Sequence, residues 1–325
     1  MSKTAIAIAV AAGVGATGWF ILRSHPAGQK GSGLSEEFSY DVAAYRNVDP
    51  AMVRYRQAAE IDTGFQEARG VAAGADGRIY AAGDRAIRVF DAGGRKLSEI
   101  ALGAEPRALA VDADGTIYVA MRDHLEVYDA QGRPKAAWES PGAEAILTSV
   151  AVSAGEVFLA DAGDRAILRY DKAGKILGRL ARKDDARGIP GIVVRSPHLD
   201  VAMGADGLLR VANSGRLSVE TYLPDGGLEI AWGAPSMDKI EGFCGCCNPT
   251  DIAVLADGRV VTAEKGIPRV KLYDAHGQLL AVVAPPAVFE QDVVGLDLAA
   301  DPAGRILVLD PAARKIRVFV EKEGA

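Results

Sequence analysis

All three cysteines of the 325-residue chain lie within four positions, in the run GFCGCCNP that spans residues 242–249. Thiolates crowded into one turn suit a soft cation such as Cu(I) or Zn²⁺, or an iron–sulfur cluster. The spacing of Cys244, Cys246 and Cys247 differs from the C-x-x-C pairs of zinc ribbons and ferredoxins. A tetrahedral site needs a fourth ligand. We expect His198 to be that ligand, and Asp251, four residues after the turn, is a further candidate.

Redox chemistry is an alternative use of the same thiols. In an oxidising compartment Cys246 and Cys247 would form a vicinal disulfide, or Cys244 would bridge to Cys247, and one thiol would be left over. The odd thiol would then be free to join two copies, attach a cofactor or accept a partner's disulfide. A purely structural turn is the third interpretation, and the sequence leaves all three open.

The segments that must position these residues repeat six times. The copies begin near residues 69, 107, 148, 199, 250 and 296, and each contains an Asp-Gly-type turn between apolar runs that alternate with period two. From Gly77 to Gly115 the step is 38 residues, and from Gly155 to Gly207 it is 52. A repeat of this length with four short strands is typical of a propeller blade. The predicted fold class is therefore all-β, a six-bladed β-propeller over residues 51–325.

The two ends of the repeat region predict how the ring closes. Only five residues follow Val320, too few for the outermost strand of the last blade. The stretch Val53–Thr63 precedes the first copy and would supply that strand, which removes an open sheet edge.

The repeat pattern, P-x-x-I/L-A-V-D-x-D-G-x-I-Y-V-A followed by I-x-V/L-Y/F-D-x-x-G, resembles the NHL repeat over about residues 52–320. In particular, the chain resembles membrane-anchored members with an F-C-G-C-C-N-P stretch. The resemblance implies a six-bladed propeller but no single function, because the family includes protein-binding, RNA-binding, sensor and zinc-dependent lyase members. The lyases hold zinc through histidines, and the four histidines here do not recur at equivalent blade positions, which argues against lyase activity.

Two connections between copies are longer than the rest, Ile176–His198 and Leu228–Pro249. Long loops in a compact domain are more often functional than accidental. Both flank the fourth blade, so we expect them to meet over the mouth of the central channel. The cysteines lie in the second.

Stacking the six copies aligns three carboxylates, Asp200, Asp251 and Asp297, at one inner-strand position near the channel axis. Neighbouring carboxylates would bind a hard cation such as Ca²⁺ or shift one another's pKa. Alternatively, each Asp accepts backbone N–H bonds and fastens its blade to the next. Arg69 and Arg107 also occupy equivalent positions in the first and second copies. Arginines at these positions would bind an anionic ligand or form salt bridges between blades.

Composition and the first residues set further limits. The net charge of −6 and the low aromatic content of 6% argue against nucleic acid as a partner. Thr4–Leu22 is a run of nineteen uncharged residues between Lys3 and Arg23, long enough to cross a bilayer. We expect an N-terminal transmembrane helix or signal segment over residues 1–23, a linker over 24–50, and a propeller outside the cytoplasm, on the periplasmic or extracellular side.

Three functions follow, in order of preference. The first is a membrane-tethered scaffold or sensor whose long-loop face docks a protein or a small ligand. The second is a thiol-bound metal (Cu, Zn) or iron–sulfur centre that serves electron transfer or metal handling beside a membrane complex. A lyase or hydrolase that uses Asp200, Asp251 and Asp297 comes last, because no set of acid, base and nucleophile can be assembled at sensible spacing.

Overall fold

The computed structural model describes residues 44–236, 238–290, 293 and 295–324. The predicted membrane segment over residues 1–23 and most of the predicted linker lie outside these residues. Within them, no helix combines the length and the apolar character needed to cross a bilayer.

Six four-stranded antiparallel sheets contain all the strands of the described residues, which confirms the six-bladed propeller. The first three blades, numbered in chain order, comprise β2 to β13: Ala68–Ala73, Ile79–Gly83, Ala86–Phe90 and Lys96–Ala101; Ala108–Val111, Ile117–Ala120, Leu125–Tyr128 and Pro134–Trp138; Leu147–Val152, Glu156–Asp161, Ala166–Asp171 and Ile176–Leu180. The fourth and fifth comprise β14 to β21: Asp200–Met203, Leu209–Asn213, Ser218–Tyr222 and Leu228–Trp232; Asp251–Val254, Val260–Glu264, Arg269–Tyr273 and Leu279–Ala284. The sixth blade contains β22 (Asp297–Ala300), β23 (Ile306–Asp310), β24 (Lys315–Glu321) and β1 (Tyr55–Asp62).

The ring closes as the sequence predicts. Strand β1 is the outermost strand of the sixth blade and runs antiparallel to β24, with Tyr55 opposite Glu321 and Asp62 opposite Lys315. First and last residues of the propeller therefore share one sheet, so the circle is held by backbone hydrogen bonds as well as by packing between blades.

The recurrent D-x-x-G of the repeat has a local cause. The Oδ1 of Asp91 accepts the backbone N–H groups of Gly93 at 3.0 Å and Arg95 at 2.9 Å, which folds the hairpin between the third and fourth strands. Asp129 and Asp171 make the same bonds in the next two blades. Apolar side chains of adjacent sheets then interlock between the blades, as in the cluster that joins Val211 and Tyr222 to Phe158 and Ile167.

The two long connections are shorter as loops than the sequence predicts, because each begins with the outer strand of a blade. Ile176–Leu180 is β13 and Leu228–Trp232 is β17. The loops proper are residues 181–199, termed the 3–4 loop, and residues 233–250, termed the cysteine loop. Short 3₁₀ turns lie at Ala44–Arg46, Pro50–Met52, Ser214–Arg216 and Pro286–Val288.

Candidate functional site at the channel mouth

The three inner-strand aspartates fasten successive blades to one another. Asp200 accepts the N–H of Ile252 at 2.7 Å, Asp251 that of Leu298 at 2.8 Å, and Asp297 that of Val71 at 2.6 Å. Ser149 does the same in the third blade, where its hydroxyl accepts the N–H of Val201 at 3.2 Å. The blade-fastening role expected of these positions is thus confirmed.

The same aspartates also perturb one another's protonation. Burial raises the pKa of Asp200 to about 6, and burial together with the charge of Asp200 raises that of Asp297 to about 7. Burial, the charges of both neighbours and a hydrogen bond to Asp297 hold the pKa of Asp251 well above its usual range. These three aspartates, termed the aspartate ring, therefore retain protons near neutral pH. Their carboxyl groups donate as well as accept hydrogen bonds.

A cavity of about 480 Å³ opens above this ring, at the mouth of the channel. Its polar lining divides by charge: arginines come from the first two blades, whereas a histidine and the three carboxyl groups come from the connections and strands of the last three. The polar and charged lining residues are Arg69, Arg107, Arg122, Thr148, His198, Asp200, Thr250, Asp251 and Asp297. Each long loop reaches this cavity only at its C-terminal end, through His198 and Thr250. That the loops meet over the channel mouth therefore stays a prediction.

The three arginines differ in their partners. Arg69 pairs with Glu67 of its own blade at 2.5 Å and lies 3.9 Å from Glu105 in the connection to the second blade, so its main ion pair is within the blade rather than between blades. Arg107 and Arg122 are exposed and form no ion pair with any residue that the structure describes. Two cationic groups thus border the cavity without a direct ion pair among the described residues, although the charge of Arg122 helps to lower the pKa of the adjacent Asp123.

His198 is half-buried on the opposite side of the mouth. Burial lowers its pKa to about 4, and the nearby charge of Lys265 acts in the same direction. The imidazole is consequently neutral at pH 7 and can accept a hydrogen bond, but it is a weak base. Gly295 packs closely beside it, since a Cβ at that position would lie 3.3 Å from the His198 Cε1.

The cysteine loop folds back on itself beside β20. Ser236 donates its N–H to the Phe243 carbonyl at 3.0 Å, and Phe243 donates to the Ala234 carbonyl at 2.9 Å. The fully buried Lys271 of β20 holds the same segment, because its Nζ donates to the carbonyls of Ile240 at 2.9 Å and Gly242 at 2.7 Å.

A buried cluster of charged side chains on β19 and β20 also contacts that loop. Glu264 lies 2.8 Å from the Lys271 Nζ and 2.7 Å from the Arg269 Nε, and its carboxylate accepts the N–H of Cys244 at 3.2 Å. Although burial raises the pKa of Glu264, the charges of Lys271 and Arg269 hold it below the usual range. Burial lowers the pKa of Lys271 to about 8, so it is still mainly charged at pH 7.

The structure does not bring the cysteines together with His198 and Asp251. Those two residues line the mouth, whereas none of the three cysteines does. Cys244 and Cys247 are buried and Cys246 is exposed, all as free thiols. Within the part of the chain that the structure describes, no three side chains of His, Cys, Asp or Glu are grouped to hold a metal ion. Thiol-bound metal or an iron–sulfur cluster therefore stays a prediction.

Three residues of importance here were missed by sequence reasoning: Arg122, Glu264 and Lys271. Arg122 follows β7 in the middle of its blade, and mid-blade turns reach the same face as the long loops. Glu264 and Lys271 are charged residues in strands where alternation alone suggests solvent exposure. Their signal was a glutamate opposite Arg269 on the neighbouring strand, with Lys271 diagonal to it, next to the longest loops.

Comparison with known proteins supports the fold alone. No family model matches the chain, and no curated protein matches it either. Among solved structures, a Bacteroides thetaiotaomicron protein of unknown function has a TM-score of 0.59 at 17% identity, over 79% of this chain and 70% of that one. Virginiamycin B lyase from Staphylococcus aureus has a TM-score of 0.57 at 12% identity, over 82% and 100%. Kuenenia stuttgartiensis hydrazine synthase has a TM-score of 0.55 at 15% identity, over 79% and 84%.

Proposed function

We propose that the protein is a binding propeller, a scaffold or sensor, whose long-loop face receives a small organic anion at the channel mouth. One observation carries the proposal: Arg107 and Arg122 face a cavity of about 480 Å³ without an ion-pair partner among the described residues. A guanidinium matches a carboxylate or phosphate in two-point hydrogen bonds. The cavity volume lies in the range usual for small-molecule sites.

The opposite wall determines which anion fits. Neutral His198 and the partly protonated ring of Asp200, Asp251 and Asp297 present hydrogen-bonding groups to the far end of a ligand. A ligand with an acidic group at one end and a hydroxyl or amino group at the other would satisfy both walls.

The test is isothermal titration calorimetry of the full-length protein with 4-hydroxybutyrate, 4-aminobutyrate, succinate and inorganic phosphate. We expect saturable binding of at least one of these, weakened tenfold or more by Arg107→Ala and by Arg122→Ala. Arg78→Ala is the matched control, because Arg78 lies in the hairpin turn at the other end of β2 from the mouth. Equal binding by all three variants would refute the proposal.

Lyase or hydrolase chemistry at the same mouth is the second candidate. It is favoured by the presence, in one cavity, of carboxyl groups that carry protons near neutral pH and can act as general acids, together with a neutral imidazole that can accept a hydrogen bond from a substrate. For the Staphylococcus aureus virginiamycin B lyase, the variant seen with quinupristin has one histidine replaced by alanine and is catalytically inactive. Quinupristin is accordingly the probe: conversion detected by liquid chromatography and mass spectrometry, and lost in His198→Ala, would support this candidate over simple binding.

The site of action is part of the proposal. The uncharged run Thr4–Leu22 supports tethering to a membrane with the propeller on the outer side, next to a protein partner or membrane complex. Fractionation of cells that express the full chain, with protease added from outside, tests this. A propeller found only in the cytosolic fraction would contradict it.

A further inference from the structure

Two of the three thiols already touch. The Sγ atoms of Cys246 and Cys247 are 3.5 Å apart, and both residues are free cysteines. They differ in access, since Cys246 is exposed and Cys247 is 2% exposed. An accessible thiol next to a sheltered one is the arrangement in which the first attacks a partner and the second completes the exchange.

The backbone that carries this pair is held firmly on both sides. On the N-terminal side, Phe243 is fully buried and its ring lies 4.6 Å from the Lys271 Nζ. On the C-terminal side, the buried Asn248 donates to the Cys244 carbonyl at 2.6 Å. Gly245 makes the turn with φ of 74°, a left-handed conformation that glycine adopts without steric cost. Such supports keep two side chains in a fixed relation, which a loose loop tip would not.

Cys244 has a different environment from the other two. It is 4% exposed, and its sulfur accepts a weak hydrogen bond from the Asn248 Nδ2 at 3.9 Å. Burial raises the pKa of this thiol, and the charge of Glu264 raises it further. Since the thiolate is the nucleophile, Cys244 is kept in its less reactive form.

We propose that Cys246 and Cys247 form a redox-active dithiol that is oxidised to a vicinal disulfide by a low-molecular-weight disulfide of the glutathione type. This role is separate from ligand binding at the channel mouth. The two sulfurs must approach from 3.5 Å to the bond length of about 2.05 Å, a shift that side-chain rotation and a small turn adjustment supply.

The exchange balances in two steps. The Cys246 thiolate, its proton given to solvent, attacks one sulfur of the small disulfide, forms a mixed disulfide and releases one thiolate. The Cys247 thiol then loses its proton and attacks the Cys246 Sγ; the second thiolate leaves and the Cys246–Cys247 bond forms. Two electrons pass from the protein to the small disulfide, which ends as two thiols after taking up the two protons.

The test counts free thiols in the full-length protein before and after equilibration with glutathione disulfide. After acid quenching, denaturation and alkylation with N-ethylmaleimide, mass spectrometry should find three labels on the reduced protein and one on the oxidised protein, with the label on Cys244. Cys244→Ser should fall from two labels to none. Cys247→Ser should stop at a glutathione adduct on Cys246, and Cys246→Ser should form no internal disulfide.

Other outcomes would overturn the proposal. One is a disulfide that includes Cys244, and another is a protein that keeps three labels throughout the glutathione titration. A third is purified protein that contains stoichiometric zinc or copper, with the metal protecting the thiols and lost in each Cys→Ser variant. Circular dichroism of every variant excludes misfolding as the cause. The same samples are tested for anion binding, so a failed redox test with intact binding, or the reverse, separates this inference from the proposed function.

Discussion

Asn248 and Lys265 bond to each other twice. The Asn248 Nδ2 donates to the Lys265 carbonyl at 3.1 Å, and the Asn248 Oδ1 accepts the Lys265 N–H at 2.9 Å. One amide side chain thus fastens the end of the cysteine loop to the corner after β19. Lys265 in turn donates from its Nζ to the Ser196 Oγ in the 3–4 loop at 3.3 Å. The two long loops are therefore mechanically connected through these residues.

We expect Asn248→Ala to reduce the free energy of unfolding by about 2–3 kcal/mol. The substitution removes three hydrogen bonds to backbone groups from a side chain that is 1% exposed, and those backbone groups lose their partners. Urea unfolding followed by tryptophan fluorescence measures the change. Asn47→Ala, at an exposed position, is the matched control and should change stability by less than about 0.5 kcal/mol. Equal stability of the two variants would show that the bonds hold the loop only weakly.

Lys271→Met should reduce the free energy of unfolding by about 3–5 kcal/mol, because it removes one charge from a buried ion cluster and the two hydrogen bonds that the Nζ donates to carbonyls of the cysteine loop. The loop should also become accessible, with new cleavage in residues 234–247 under limited proteolysis. Lys96→Met is the control, since Lys96 pairs with Glu99 on an exposed strand. A variant that is destabilised but cleaved no faster would show that Lys271 stabilises the strands without holding the cysteine loop in place.

Lys265→Met should raise the pKa of His198, but only part of the way from about 4 toward 6.5. Burial, the larger cause of the depression, remains when the lysine charge is removed. NMR titration of the imidazole resonances measures the shift. Lys183→Met, which removes an exposed charge from the same 3–4 loop, should leave the His198 titration unchanged. A full return to 6.5 would mean that solvent reaches the imidazole freely.

The sequence was sufficient to predict the blades, the ring closure and the aspartate ring, because each depends on a local pattern that repeats. Asp200, Asp251 and Asp297 stand at equivalent positions of copies aligned by their turns, so their common role could be inferred without coordinates. The closing strand β1 followed from counting residues after Val320. These inferences needed only the period of the repeat and the need to cover sheet edges.

The surroundings of the cysteines could not be predicted in the same way. A lysine at position 271, in a strand of alternating pattern, suggests a solvent-facing side chain until the cysteine loop is known to cover it. The loop does so because Phe243 packs against Trp232 and Tyr273, contacts between residues far apart in the sequence. The structure does not group His198 with the thiols for a related reason: the length of a loop does not fix which of its residues face the channel.

The aspartate ring makes stability depend on pH. Asp297 has a pKa of about 7 in the folded protein, against 3.8 for an ordinary Asp, because burial and the charge of Asp200 oppose its ionisation. Between these two values the folded state keeps a proton that the unfolded state has released. The ring's contribution to stability is therefore fully present below about pH 4 and is lost as the pH rises through 7.

Asp297→Asn should remove the share of this dependence that comes from Asp297, since the neutral amide oxygen can still accept the N–H of Val71 while the repulsion from Asp200 disappears. At pH 8 we expect the variant to exceed the wild type in stability by more than about 1.4 kcal/mol, the equivalent of one pKa unit, and to match it near pH 4. Urea titrations at six pH values measure the difference. Asp91→Asn should show the opposite sign, because hydrogen bonding from the Arg95 backbone lowers the pKa of Asp91. A constant difference between Asp297→Asn and the wild type across the range would mean that Asp297 ionises normally in the folded protein.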